Sequence, residues 1–202
     1  MTQITWSARH AWLSVLGACW LGAVGAGLWV VRAYDNAPGV SADAPVRWPA
    51  STHLVRAATG PTLVMLAHPM CPCTRASIDE LAEALARSTA PARTYVLFIR
   101  PAGFAEGWER SELWQRAARI PGVTPIRDDE GVEAARFGTS TSGQTLLYAA
   151  DGSLLFSGGI TGSRGHAGDN DGRAGLVALL TRAGRGQTRT NVFGCPLFAR
   201  GV

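Results

Sequence analysis

Two cysteines separated by one proline, Cys71-Pro72-Cys73 within HPMCPCTRAS, carry the clearest capacity for chemistry in this chain. They follow a short apolar run, TLVMLA at 62–67, bounded by Gly60-Pro61 and His68-Pro69, which reads as a strand buried on both faces. They precede a segment in which Ile78, Leu81, Ala82 and Leu85 recur at i, i+3, i+4 and i+7. That spacing predicts an amphipathic helix with Asp79, Glu80 and Glu83 toward its N-terminal half. Pro72 presets φ for a first helical turn and has no N–H to leave unpaired, so Cys71 falls at the N-cap and Cys73 just inside the helix. Unpaired N–H groups and the helix dipole favour a thiolate at Cys71, drawing its pKa below about 8.5, and Arg75 is a second source of positive charge. A low-pKa thiol beside a second thiol suits disulfide exchange. A ring closed between residues i and i+2 is strained, which makes such a couple more oxidising than roughly −270 mV.

The same side chains suit a second chemistry. His68-X-X-Cys71-X-Cys73 offers thiolates and an imidazole, a soft donor set for Cu(I). The family resemblance given below implies a final strand parallel to the first, which would bring the loop GGITGSRGHAGDN at 158–170, with Arg164, His166 and Asp169, to the cysteine end. The metal alternative is therefore Cys71, Cys73 and His166, with His68 on the rim in a positioning role. Asp169 or Asn170 is also placed to cap the last helix. Cys195, in the apolar cluster VFGCPLF at 192–198, is a third exchanging thiol, a third soft ligand or a buried free thiol; the cluster implies that the tail docks, burying Phe193, Leu197 and Phe198. Two inert thiols in a binding module form a further reading.

The elements that must position these groups are legible in the apolar pattern. Residues 95–99, YVLFI, read as a second buried strand, 109–119 as a helix and 131–137 as a short helical turn ending at Gly138. Residues 145–148 and 153–156 flank Ala-Ala-Asp-Gly as a β-hairpin, and a last helix spans about 170–183. The order is β-α-β-α-(α)-β-β-α, an α/β domain whose pairing is first parallel and then antiparallel.

Residues 11–31 contain no charge over a length that spans a bilayer core and read as a transmembrane signal anchor. Val24-Gly25-Ala26 fits a cleavage site loosely, but LWVV continues beyond it. Either reading exports the rest of the chain, and the short preceding tail, 1–10, favours an N-inside orientation. Residues 32–55, rich in Pro, Ala, Asp and Ser, read as a flexible tether. The domain proper is expected over 56–183 and a basic tail over 184–202. All 19 basic residues are Arg, yet residues 51–180 hold 12 Arg against 13 acids, while 181–202 hold four Arg and no acid. A neutral domain without a basic, aromatic-interleaved patch argues against nucleic-acid binding, and the charged end reads as solvated. The glycine-rich loop lacks the Lys-Ser/Thr of a phosphate loop, and no nucleophile elbow or zinc-protease helix is present. A peroxiredoxin lead into one attacking cysteine is absent too.

LVMLAHPMCPC and IRDDEGVEAARFGTSTSGQTLLYAADGSLLFSGG resemble the thioredoxin-like superfamily, especially its membrane-anchored, extracytoplasmic TlpA and ResA type. The resemblance covers roughly residues 61–183. HPMCPCTRAS, GGITGSRGHAGDNDGR and FGCPLF together are similar to proteins labelled RedB. The resemblance implies a thioredoxin-like fold, with a central mixed sheet flanked by helices, and a thiol:disulfide oxidoreductase that needs no cofactor. Its partner is a protein thiol or disulfide, with Cys71 attacking and Cys73 resolving. It implies a bilayer contact through 11–31 and a domain facing the periplasm or cell exterior from the inner membrane. Likeness to thioredoxin-fold copper chaperones keeps Cu(I) binding or metallocentre assembly as the alternative. The chain departs from the pattern in having Cys-X-Cys for Cys-X-X-Cys and Met65 where many thioredoxins carry a buried acid. Gln144 stands where the family has a cis-proline facing the cysteines, so a trans peptide and an altered groove around Gly143 and Gln144 are expected.

Overall fold

A computed structural model describes residues 4–40, 43–89, 91–181 and 186–198. The chain divides after Asn36 into two units. The first is helix α1 (Ile4–Asp35), in which His10–Asp35 is long and apolar enough to cross a membrane. It contains the charge-free span at 11–31.

The second unit carries, in order, β1 (Thr62–Ala67), α2 (Pro72–Ala86), β2 (Arg93–Arg100), α3 (Glu112–Ala118), β3 (Val123–Asp129), α4 (Val132–Arg136), β4 (Thr145–Tyr148), β5 (Leu154–Gly158) and α5 (Asp171–Leu180). One five-stranded sheet has the order β3-β2-β1-β4-β5. β1, β2 and β3 are parallel, β4 runs antiparallel to β1 and β5 antiparallel to β4, so β5 runs with β1. A β-α-β unit and a β-β-α unit thus share one mixed sheet flanked by helices, the thioredoxin-like arrangement.

Strand β3 is the element that the sequence pattern does not announce. Its burial is incomplete, only Asp128 being fully buried, so VTPIRDD has no alternation to read. It pairs with β2 alone, and an edge position tolerates Pro125.

The continuous burial of β1 has a simple cause: apolar layers cover both faces of the sheet. Leu63, Met65 and Ala67 meet Ile78, Leu81 and Ala84 of α2, Leu113 and Ala117 of α3, and Leu176 and Leu180 of α5. Val64 and Leu66 belong to a second cluster with Leu97, Leu146, Tyr148, and Ala134 and Phe137 of the α4 region. That second layer also recruits segments from both ends of the unit, Ala44, Trp48 and Leu54 from the N-terminal side and Leu197 from the tail.

Two expectations are corrected here. The stretch read as a flexible tether over 32–55 continues α1 to Asp35 and then, over its described residues from 43, packs on the sheet. Trp48 stacks edge-on against Phe137 and Tyr148, Trp48 N–H donates to Gly152 O at 2.8 Å, and Tyr148 OH donates to Pro45 O at 3.1 Å. A helix as short as α4 cannot cover this face alone, and the Pro-rich segment supplies the missing apolar surface. The solvated reading of the basic tail is corrected for its backbone and not for its charge: over residues 186–198 the tail docks on the domain, as its apolar cluster implies, while the Arg189 side chain stays 67% exposed. Ser157 N–H donates to Thr188 O at 2.9 Å and Ser157 bridges Arg189 in parallel, closing part of the open edge of β5. Val192 and Leu197 are buried as the tail crosses back, Phe193 is half-buried, and Phe198 stays exposed.

Candidate active site

The cysteine motif sits where β1 ends and α2 begins, at the carboxyl end of the parallel strands. Cys71 is the N-cap of α2, with extended backbone (φ −89°, ψ 120°), and Pro72 occupies the first turn. The entry turn is tied by Cys71 N–H to His68 O at 3.1 Å and Thr74 N–H to Cys71 O at 3.0 Å. Thr74 Oγ1 donates to His68 O at 3.2 Å and lies 2.7 Å from Ser142 Oγ, which accepts His68 N–H at 2.8 Å. The motif is thereby fastened to the loop before β4.

That loop also receives the tail. Ser142 N–H donates to Cys195 O and Leu197 N–H to Ser140 O, both at 2.8 Å, while Thr141 bridges Pro196 in antiparallel fashion. Gly194 lies so close to the Ser142 carbonyl that a Cβ there would collide with it. Arg164 fastens the strap from above the final strand, its guanidinium donating to Gly194 O and to Ala37 O. The result is a cluster of three sulfurs: Cys71, Cys73 and Cys195 all lie within 4.8 Å of one another, and Cys71 Sγ is 2.8 Å from Cys195 Sγ. Cys71 and Cys73 are buried and Cys195 half-buried, and all are free thiols.

The electrostatics separate the three. Burial opposes ionisation of Cys71, yet hydrogen bonds to its sulfur from the Cys195 side chain and backbone and from Thr74 outweigh that penalty and hold its pKa below the ordinary thiol value. Burial raises the Cys73 thiol, the neighbouring Cys71 charge and hydrogen bond raise it further, and Arg164 only partly opposes them. Burial, followed by the hydrogen bond to Cys71 and its charge, pushes Cys195 up to about 12. Of the three, Cys71 is therefore the sulfur that ionises most readily.

The remaining sequence-chosen residues are placed unequally. Pro72 and Arg75 line an open cleft beside Cys71 with Pro69, Met70, Ser111 and Glu112. Arg75 is balanced by Glu112, which accepts two hydrogen bonds from it at 2.9 Å, so its charge is not aimed at the sulfur. His68 is half-buried against Trp108, with ring centroids 5.7 Å apart, and its Nδ1 accepts Met70 N–H at 3.2 Å; burial lowers its pKa. It shapes the turn through its backbone. Gly143 and Gln144 do not line the cleft beside Cys71. Gly143, at φ +88°, is packed where a Cβ would stand 2.6 Å from Ser77 Oγ, and Gln144 lines a separate polar pocket with Ser157 and Asn191. No described peptide bond is cis, in keeping with the loss of proline at 144.

His166 is corrected as a ligand. It is exposed, and its Nδ1 lies 2.7 Å from Arg164 O; the three-ligand cluster found among the described residues is the cysteine trio without it. Glu80 of α2 pins the far end of the loop, accepting Gly168 N–H at 2.6 Å and pairing with Arg173 at 2.7 Å. Asn170 caps α5 by accepting Arg173 N–H at 2.8 Å. Thr74, Ser142 and Trp108 are the site residues that sequence reasoning missed. Thr74 was recoverable as the third residue beyond an N-cap, whereas Ser142 reaches the site only through tertiary contact.

No protein-family model and no curated protein matches the sequence. Solved structures do. A hypothetical protein from Sinorhizobium meliloti is 18% identical with a TM-score of 0.56, covering 79% of this chain and 96% of that one. An uncharacterized conserved protein from Geobacillus kaustophilus is 16% identical with a TM-score of 0.57, covering 81% and 99%. A secreted Mycobacterium tuberculosis disulfide oxidoreductase homologous to E. coli DsbE is 21% identical with a TM-score of 0.43, covering 59% and 81%.

Proposed function

We propose that this protein is a membrane-anchored, extracytoplasmic thiol:disulfide oxidoreductase of the TlpA and ResA kind, with the domain on the periplasmic or outer side of the membrane that α1 crosses. One observation carries the reading: Cys71 is a helix N-cap thiol whose pKa is lowered by donors converging on its sulfur, with two further thiols within reach. A partner disulfide or dithiol enters along the cleft formed by Pro69, Met70, Pro72 and Leu113, where exposed Met70 offers an adaptable apolar rim. Cys71 attacks the partner sulfur and a second thiol of the cluster releases it. The chemistry needs no cofactor.

The test is a titration of the metal-free protein in glutathione buffers, reading each cysteine by alkylation and mass spectrometry. A reversible couple that includes Cys71, between roughly −120 and −270 mV, supports exchange. Thiols that neither pair nor form mixed disulfides anywhere in that range refute it.

The sulfur trio favours a second reading, Cu(I) binding in copper delivery or metallocentre assembly. Three soft donors within 4.8 Å suit that ion better than the expected Cys71, Cys73 and His166 set. The residues that would hold it are Cys71, Cys73 and Cys195. Stoichiometric Cu(I) retention against a chelator, lost in Cys195→Ser, would favour this reading over exchange.

A further inference from the structure

We propose that Cys195, and not Cys73, is the resolving thiol for Cys71, so that the oxidised protein carries a Cys71–Cys195 disulfide joining the tail strap to the N-terminus of α2. The inference rests on the exchange reading above and assigns its second sulfur.

Three observations converge on it. Cys195 Sγ stands 2.8 Å from Cys71 Sγ, held there by a strap in which the Cys195 carbonyl accepts Ser142 N–H and Leu197 N–H donates to Ser140 O. Closing that pair needs no change in secondary structure. The competing pair is constrained covalently: Cys71 is the extended N-cap, Cys73 is already helical, and Pro72 between them cannot vary φ to relieve a ring closed over two residues. Closing it would also disturb the Thr74 N–H bond to Cys71 O that starts the helix. Finally, Cys195, like Cys73, does not line the cleft through which Cys71 is reached, so a partner held there leaves Cys195 in place beside the Cys71 sulfur.

Atoms and electrons balance over two exchanges. The Cys71 thiolate attacks a partner disulfide R–S–S–R′, forming Cys71–S–S–R and expelling R′–S⁻, which takes a proton from water. Cys195 gives up its proton and attacks the Cys71 sulfur; Cys71–S–S–Cys195 forms and R–S⁻ leaves, taking up a proton. The partner disulfide gains two electrons and two protons; the cysteine pair loses the two electrons and the Cys195 proton, and water supplies the other proton, which Cys71 had already released on ionising. Run in reverse, the same steps oxidise a partner dithiol. Cys73 remains a thiol throughout.

The test uses the full chain in detergent, equilibrated in glutathione buffers, acid-quenched, alkylated and digested with trypsin. Because the chain lacks Lys, cleavage at Arg leaves Cys71 and Cys73 together in peptide 57–75 and Cys195 in peptide 190–200. The expected oxidised product is a cross-link between these peptides, retained in Cys73→Ser. Cys195→Ser should instead accumulate glutathione on Cys71 at least about tenfold over the unsubstituted chain. An intrapeptide Cys71–Cys73 disulfide, with Cys195→Ser behaving like the unsubstituted chain, overturns this inference and leaves the oxidoreductase reading standing. A cross-link lost in Cys73→Ser and kept in Cys71→Ser also overturns it, because the pair would then be Cys73 with Cys195. Absence of every disulfide, glutathione adducts included, overturns the exchange reading itself.

Discussion

The reactivity of Cys71 reflects a contest at one sulfur atom. Burial leaves it only 2% exposed, which disfavours charge, while the donors from Cys195 and Thr74 favour it and win. Since only the thiolate reacts, alkylation of Cys71 should rise with pH to half its plateau at a lower pH than that of an ordinary thiol. Cys195→Ala removes the thiol donor without adding bulk beside the Cys71 sulfur, so the half-maximal pH should move upward. Cys195→Ser keeps a donor and should leave the midpoint low. A midpoint that ignores both changes would mean that the helix N-terminus alone sets the thiolate. The same logic explains why Arg75 contributes less than its place in the sequence implies: a bidentate carboxylate partner already balances it.

Between elements, the most buried ion pair among the described residues is Glu80 and Arg173, whose side chains are only 3% and 9% exposed. It joins α2, which bears the cysteines, to α5 and to the loop after β5. Removing one partner leaves a buried charge, so Glu80→Ala should lower the unfolding free energy by about 3 kcal/mol, seen as a fall in the urea midpoint. Arg173 keeps a contact with the exposed Asp169, which softens the loss. An unchanged midpoint would show that the loop is held by its backbone alone. Because the loop also presents Arg164 to the strap, the variant should expose Cys71 to alkylation as well.

Across the molecule, the second face of the sheet is completed by chain from both ends of the folded unit. A fragment beginning at residue 37 keeps Ala44, Trp48 and Leu54, whereas one beginning at residue 56 strips them from Leu146, Phe137 and Tyr148. The first should fold and be soluble without α1. The second should be less stable by about 3–5 kcal/mol, from the apolar burial lost with those side chains, or aggregate through the uncovered face. Equal urea midpoints for the two fragments would contradict the packing of 43–54. Full-length protein should sediment with membranes and the fragment from 37 should not, which tests the anchor.

What the sequence determined by itself was everything encoded locally. The strand at 62–67, the Pro72 helix start with Cys71 as its cap, the hairpin and the apolar span at 11–31 all arise from periodicity, proline geometry and length, which act within a few residues. The tertiary structure alone decided what depends on distant partners. Strand β3 forms because β2 offers an edge, the expected tether is a cover because the sheet has a bare face, and His166 lies outside the sulfur cluster, exposed with its Nδ1 at the Arg164 carbonyl. Above all, Cys195 was visible as a cysteine in an apolar cluster, but its place 2.8 Å from a sulfur 124 residues earlier exists only through the strap's register against residues 140–142. Pairing across such a separation is set by backbone complementarity between segments, which no local pattern records.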